Sequence, residues 1–408
     1  MVEKYTSSNG VRIVLESMPS VRSVTIGVWI KTGSRNETIH NNGISHFLEH
    51  MFFKGTKTRS AQDIAEAFDS VGGQINAFTS KEYTCFYAKV LDTHKAFALE
   101  VLADMFFEST FDEEEMEREK KVVYEEIKMC EDTPDDIVHD LLAEAAYGKH
   151  PLGYPILGTE KQLASFDQKQ LQQYVEDHYT PENVVISVAG NVSHAFIHEI
   201  DAYFGSFTRN ASKENITKPV FLQEEIYRSK DTEQAHLCLG YNGYEAGDKQ
   251  LYPLAIVNNV LGGSMSSRLF QEVREKKGLA YAVFSYHAAF LDDGLLTIYA
   301  GTGKDQLGEL EEVIQSTIHD FVEQGLSEKE LRNSKEQIKG NLMLGLESTN
   351  SRMSRNGRNE LVLQKHRTLD DLVREIDGIT NEQITHVIQN VFQQSPSRAL
   401  IAPENSRI

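Results

Sequence analysis

Apolar positions recur along this chain in two rhythms, a strand-like alternation and a helical stripe. Asn9-Gly10 followed by residues 11–15 predicts a hairpin turn feeding a strand. Residues 23–32 (SVTIGVWIKT), dense in β-branched and aromatic side chains, predict a second strand. Residues 43–53 are apolar on one helical face, and 61–71 form another amphipathic helix stopped by Gly72-Gly73. Residues 74–90 predict two strands and 93–107 a helix. Asp112 suits the N-cap of one long helix reaching about Tyr147, with Glu113, Glu114 and Glu115 in the first turn, where the dipole favours carboxylates. A helix over 166–178 and a buried strand over 184–189 close the first half.

The periodicity then lapses. Residues 205–219 (GSFTRNASKENITKP) are small and polar, which suits a linker between domains. Beyond it the same order returns. Strands are expected at 235–241, 280–286, 295–300 and 398–401, and helices at 251–261, 265–276, 306–322, from Ser327 onward through Glu330 to Glu347, and 381–391. Gly72 aligns with Gly278, the helix at Glu117 with that at Glu330, and the strand at Val184 with that at Ala399, an offset of about 210 residues. The expected fold class is therefore α+β: two structurally similar α/β domains, each a mixed, largely antiparallel sheet backed by helices. The expected division is 1–208 for one domain, 209–219 for the linker and 220–408 for the repeat.

Composition narrows the functional classes. The 41 Lys+Arg against 61 Asp+Glu give a formal charge of −20, which argues against nucleic acid or an anionic membrane as partner. A fraction of 40% hydrophobic residues excludes wholesale disorder, and no apolar run approaches the roughly 20 residues that span a bilayer. No basic and apolar leader opens the chain. Cys85, Cys130 and Cys238 are too few and too scattered for a disulfide framework or a thiolate zinc site, and are read as small apolar residues. Together these make the cytoplasm the expected location.

The chemistry is concentrated in His46-Phe47-Leu48-Glu49-His50. On a helix, positions four apart lie about 40° apart around the axis, so both imidazoles project to one side and can share one ion. Glu49 lies on the same side. The H-x-x-E-H order inverts that of the HExxH zincins, and two imidazoles with a carboxylate suit zinc with one position left for water. Glu49 is then the candidate general base. Two histidines on a helix face can equally be solvated or packed, so a third ligand is needed. The acidic helix after Asp112 offers Glu119, Glu125 and Glu126. Glu119 and Glu126, seven apart, project within about 20° of each other, so one could bind metal and the other support it.

Residues 42–56 (NGISHFLEHMFFKGT), 72–79 (GGQINAFT), 117–126 and 151–158 (PLGYPILG) resemble the inverted-zincin peptidases: pitrilysin, insulin-degrading enzyme and the mitochondrial processing peptidase. The similarity covers essentially the whole chain and is nearest the short processing-peptidase branch and its bacterial relatives. The resemblance implies a zinc metalloendopeptidase with one Zn²⁺ per chain held by His46, His50 and Glu126. It implies Glu49 as base and Glu119 as the supporting glutamate. A peptide would lie along the edge strand at Asn76, Ala77 and Phe78. In the second half, which lacks the motif, Arg274 and Tyr281 match an arginine and a tyrosine seven positions on that reach substrate and the reacting carbonyl. The implied substrate is an unfolded peptide or leader segment, and the implied assembly a homodimer. The competing expectation is a non-catalytic peptide-binding or assembly scaffold of the same fold. The glycine-rich 261–267 resembles a loop of the same branch and, lacking GK[ST], is no phosphate cradle.

Overall fold

A computed structural model describes residues 2–209 and 216–404. In the first half the strands are β1 (Val2–Thr6), β2 (Arg12–Ser17), β3 (Ser23–Ile30), β4 (Gln74–Thr79), β5 (Thr84–Leu91) and β6 (Val184–Gly190). Its helices are α1 (Ile44–Met51), α2 (Ala61–Asp69), α3 (Lys95–Glu108), α4 (Glu113–Asp132), α5 (Pro134–Tyr147), α6 (Glu160–Ser165), α7 (Gln168–His178) and α8 (Phe196–Phe204). The second half adds β7 (Glu225–Ser229), β8 (Gln234–Asn242), β9 (Ala280–Ala289), β10 (Gly294–Gly303) and β11 (Ser397–Ala402). Its helices are α9 (Leu251–Leu261), α10 (Leu307–Gln324), α11 (Glu328–Gly345), α12 (Thr349–Arg358), α13 (Leu369–Asp377) and α14 (Asn381–Phe392). None of the described helices is long and apolar enough to cross a membrane.

Two sheets form, ordered β1-β2-β6-β3-β5-β4 and β7-β11-β8-β10-β9. Leaving out β1, the two orders coincide strand for strand. Each sheet has one parallel pair, β2 with β6 and β7 with β11, and is otherwise antiparallel. The expected mixed sheets backed by helices are thus present, and so is the internal repeat. Gly72 and Gly278, aligned from the sequence, both sit in the left-handed region, with φ of 62° and 63°.

The long helix expected to run to Tyr147 is two helices. Pro134 cannot continue α4 and forces Thr133 out of the helical region, to φ −105° and ψ 92°. This break sends α5 to a different sheet. Within the described residues the first compact unit is drawn from Met1–Ile127, Tyr154–Ile216 and Leu344–Thr368, the second from Lys128–Gly153, Thr217–Met343 and Leu369–Ile408. Each unit therefore includes a segment from the other half of the chain, which a division at a 209–219 linker does not contain; residues 210–215 of that linker lie outside the described ones. The helix expected over 265–276 is a segment of wide, π-type turns, Phe270–Lys276.

The exchange explains why the central strands are apolar on both faces. In β3, Val24, Ile26, Val28 and Ile30 enter the core shared with α1, α3 and α8. Trp29 faces the other way and packs with Val185 of β6 and Met353 of α12, its indole N–H donating to the Met353 sulfur at 3.2 Å. In the second unit α9, α10 and α14 cover one face of the sheet, while Val138, Leu141 and Leu142 of α5 pack on Cys238, Tyr299 and Ala399 on the other.

Candidate functional site

Helix α1 packs against β4 and β5, burying Ile44, Phe47, Leu48 and Met51 and leaving His46, Glu49 and His50 half-buried on its other side. The imidazoles of His46 and His50 lie 4.7 Å apart between ring centroids. Helix α4 brings up the third group. Its apolar stripe of Met116, Val123 and Ile127 fixes the rotation, so that Glu119 and Glu126 face α1 while Glu117 and Glu125 stay exposed. Glu126 Oε2 stands 3.3 Å from His50 Nε2 and 3.7 Å from His46 Nε2. Among the described residues these three form the one cluster whose ligand atoms all lie within 4.8 Å of one another. Of the carboxylates the sequence left open, Glu126 is the one brought to both imidazoles.

Glu119 does not join that cluster. Its Oε1 lies 2.7 Å from His50 Nδ1, and its Oε2 lies 2.6 Å from Lys54 Nζ. A donated Nδ1–H fixes the tautomer that leaves His50 Nε2 free as an acceptor. Burial works to raise the Glu119 carboxyl, but the His50 and Lys54 donors together hold it below its ordinary range. At His50 burial disfavours the charged ring, and the Glu119 bond with the negative charges of Glu126, Glu119 and Glu49 outweighs it, raising the imidazole. Burial, with the charge of His50 beside it, pushes His46 down to about 3, so His46 is neutral. Burial raises the Glu49 carboxyl against the pull of Thr79, whose hydroxyl donates to Glu49 Oε2 at 2.6 Å. Lys54 and Thr79 escaped the sequence reading as partners, although both stand inside the motifs quoted from it. Their signal was positional: Lys54 follows the second histidine by one helical turn, and Thr79 ends the edge strand.

The family model described as "Insulinase (Peptidase family M16)" matches residues 12–160, and "Peptidase M16 inactive domain" matches 165–338. The uncharacterized zinc protease YmxG of Bacillus subtilis is 61% identical over 406 residues, covering 100% of this chain and 99% of the relative. The chain belongs to peptidase family M16. An uncharacterized zinc protease of Streptomyces coelicolor is 40% identical over 98% of this chain and 90% of its own length. Two solved structures share the fold: a peptidase M16 inactive domain from Pseudomonas fluorescens (TM-score 0.92, 20% identity, 98% of each chain) and a protease from Helicobacter pylori (TM-score 0.91, 23% identity, 99% of each chain).

The remaining expected residues of this M16 chain fall in two places. In the first unit, β4 is the last strand of its sheet among the described residues, which leave one edge of it unpaired. Asn76 is exposed, and its own side-chain oxygen accepts the Ala77 N–H at 2.8 Å. That N–H is therefore not spent on β5 and points to the open edge. Phe78 turns its ring inward against Trp29 and Tyr83, with centroids 5.5 and 6.3 Å away. In the second unit, Arg274 and Tyr281 meet each other. The guanidinium donates to the Tyr281 carbonyl at 3.0 Å and lies 4.7 Å from the centroid of its ring. Tyr281 sits where the β9–β10 register slips, between Ala280 opposite Thr302 and Ala282 opposite Gly301. The bulge turns its side chain out of the sheet, to 79% exposure.

Proposed function

We propose that this chain is a zinc metalloendopeptidase acting on unfolded peptides or leader segments. The observation that carries the reading is that His46 and His50, on the short helix that also carries Glu49, meet Glu126 of α4. The donor set fits zinc. Bonds of about 2.0–2.1 Å in a tetrahedron separate neighbouring ligands by about 3.3 Å, close to the 3.3 and 3.7 Å between Glu126 and the two imidazoles. Glu119, itself held by Lys54, orients one ligand from behind. One zinc per chain, held by His46, His50 and Glu126, would supply Lewis-acid polarisation of the scissile carbonyl and acidify a water. The names of the relatives, zinc proteases in Bacillus and Streptomyces, support the same choice of metal.

The chain's own residues do the rest. Thr79 holds Glu49 Oε2, which leaves Glu49 Oε1 to take a proton from the attacking water and return it to the leaving amine. An extended peptide adds to the open edge of β4, where the Ala77 N–H exchanges its Asn76 partner for a peptide carbonyl. Phe78 supports that edge through its packing rather than by lining a pocket. Backbone pairing of this kind selects unfolded chains over particular sequences. Arg274 and Tyr281 are further substrate-binding residues in this proposal, offering donors to a substrate carbonyl. A homodimer and a cytoplasmic location complete it, the latter supported by three cysteines that are all free.

Incubation of the purified protein with a peptide library, with and without a chelator, tests the reading. It predicts cleavage that the chelator abolishes and zinc restores. A zinc-loaded protein that binds peptides and cuts none would make it a scaffold.

A further inference from the structure

Every helix starts with N–H groups that lack partners inside the helix. At α1 the residue in the cap position is Gly43, with φ of 94° and no side chain to accept them. The acceptor comes from six residues upstream. Glu37, 3% exposed, receives the Gly43 N–H on Oε2 at 2.8 Å and the Ser45 N–H on Oε1 at 2.8 Å. The Asn42 side-chain amide donates to Oε2 at 2.9 Å. Both oxygens of one buried carboxylate are thus spent on the start of the helix that carries His46, Glu49 and His50.

The loop bearing Glu37 is tied to the turn that follows β4. The Ser34 and Arg35 N–H groups donate to the Ser80 and Lys81 carbonyls at 3.3 and 2.7 Å, and Arg35 pairs with Glu82 at 2.6 Å. Thr79, which holds Glu49, is the residue just before that turn. The segment 154–158 closes the frame. Asn42 donates to the Pro155 carbonyl at 2.9 Å, and Lys81 bonds the Tyr154 carbonyl. Gly43 and Gly158 press backbone to backbone. A Cβ on Gly43 would stand 2.7 Å from the Leu157 oxygen, and one on Gly158 2.4 Å from the Asn42 oxygen. The PLGYPILG stretch has this work: it clamps the entry to α1.

We propose that Glu37 is a positioning residue that locks the start of α1 to the turn ending β4, so that Glu49, the two imidazoles and the peptide edge share one frame. The proposal rests on the peptidase reading for its effect on rate. The geometric requirement is strict, because a displacement of about 1 Å at a reacting group can cost about a hundredfold in rate.

The test uses full-length Glu37→Gln, which replaces one accepting oxygen with a donor facing a backbone N–H. Glu37→Asp, one methylene shorter, serves if the first variant does not fold. Amide hydrogen exchange is measured on the metal-free protein, and kcat and KM on the zinc-loaded one. We expect the amides of 43–48 to exchange at least about tenfold faster, with the strands of the same sheet unchanged. We expect kcat to fall by about ten- to a hundredfold, with KM within about twofold. Unchanged exchange over 43–48, an equal rise across the whole sheet, or a loss confined to KM overturns the proposal. A wild-type protein that binds no zinc and cleaves nothing removes the peptidase reading instead, and the metal-free exchange result still decides whether Glu37 fixes α1.

Discussion

The α1–β4 region of the first unit and the α9–β9 region of the second occupy corresponding places in two sheets of the same strand order. Helix α1 reads ISHFLEHM and carries two imidazoles and a carboxylate; α9 reads LYPLAIVNNVL and carries no such group. Strand β4 ends beside Glu49, whereas β9 begins with a bulge that presents Tyr281. The fold therefore needs neither histidine. One copy gives this helix two imidazoles and a carboxylate, and the other spends it on packing, with Leu254, Ile256, Val257 and Leu261 buried. Function here is a handful of side chains placed on a scaffold that the repeat shows to be independent of them.

The comparison can be broken most forcefully at His50. His50→Ala should leave the purified protein without zinc by elemental analysis and without measurable peptide hydrolysis, while circular dichroism stays that of the wild type. Retained zinc would place the metal elsewhere. Next comes Glu49→Gln, where hydrolysis should fall by roughly 10²–10⁴ with zinc content unchanged, since a general base contributes about that much.

In the second unit Glu330, away from Arg274 and Tyr281, should answer only in stability. Glu330 accepts from Arg268 Nε and Nη2 at 2.9 and 3.0 Å and from the Ser327 N–H and hydroxyl, both at 2.8 Å. Burial works to raise its carboxyl, but these donors together pull it down to about 2. A carboxyl lowered on folding stabilises the protein above its unfolded pKa near 4.5, and that contribution fades as pH falls toward 2. Glu330→Gln should cost about 1 kcal/mol at pH 7 by denaturant titration and almost nothing at pH 2. Peptide hydrolysis at pH 7 should not change. The smallest effects sharpen the repeat itself. Gly72→Ala and Gly278→Ala both force an alanine to φ near 60°, and each should destabilise by about 1 kcal/mol. A clear difference between the two would mean the turns are not equivalent.

Much of this was legible in the residues. Period-two and period-3.6 patterning located the central strands and α1, α2, α3 and α7. The H-x-x-E-H spacing put two imidazoles on one side because helix geometry alone aligns residues four apart. Choosing between Glu119 and Glu126 from the residues alone required seeing where α4 places each, Glu126 at both imidazoles and Glu119 on His50 Nδ1. What escaped was whatever depended on partners distant in sequence. The exchange of α5 and α12 between sheets left no local trace beyond Pro134 and strands apolar on both faces. Strand β7 was missed because half-solvated residues such as those of Glu225–Ser229 lack a clean alternation. Glu37 could not be singled out, since its three donors lie in a loop and a helix start that no spacing rule connects.

The account turns on one cation shared by His46, His50 and Glu126, and a zinc-soaked crystal measured at the zinc absorption edge tests it directly. It predicts a single anomalous peak in the first unit within about 2.0–2.2 Å of both Nε2 atoms and a Glu126 oxygen, with Glu49 beside it. No peak there, or a peak with Glu126 turned away from it, would contradict the account.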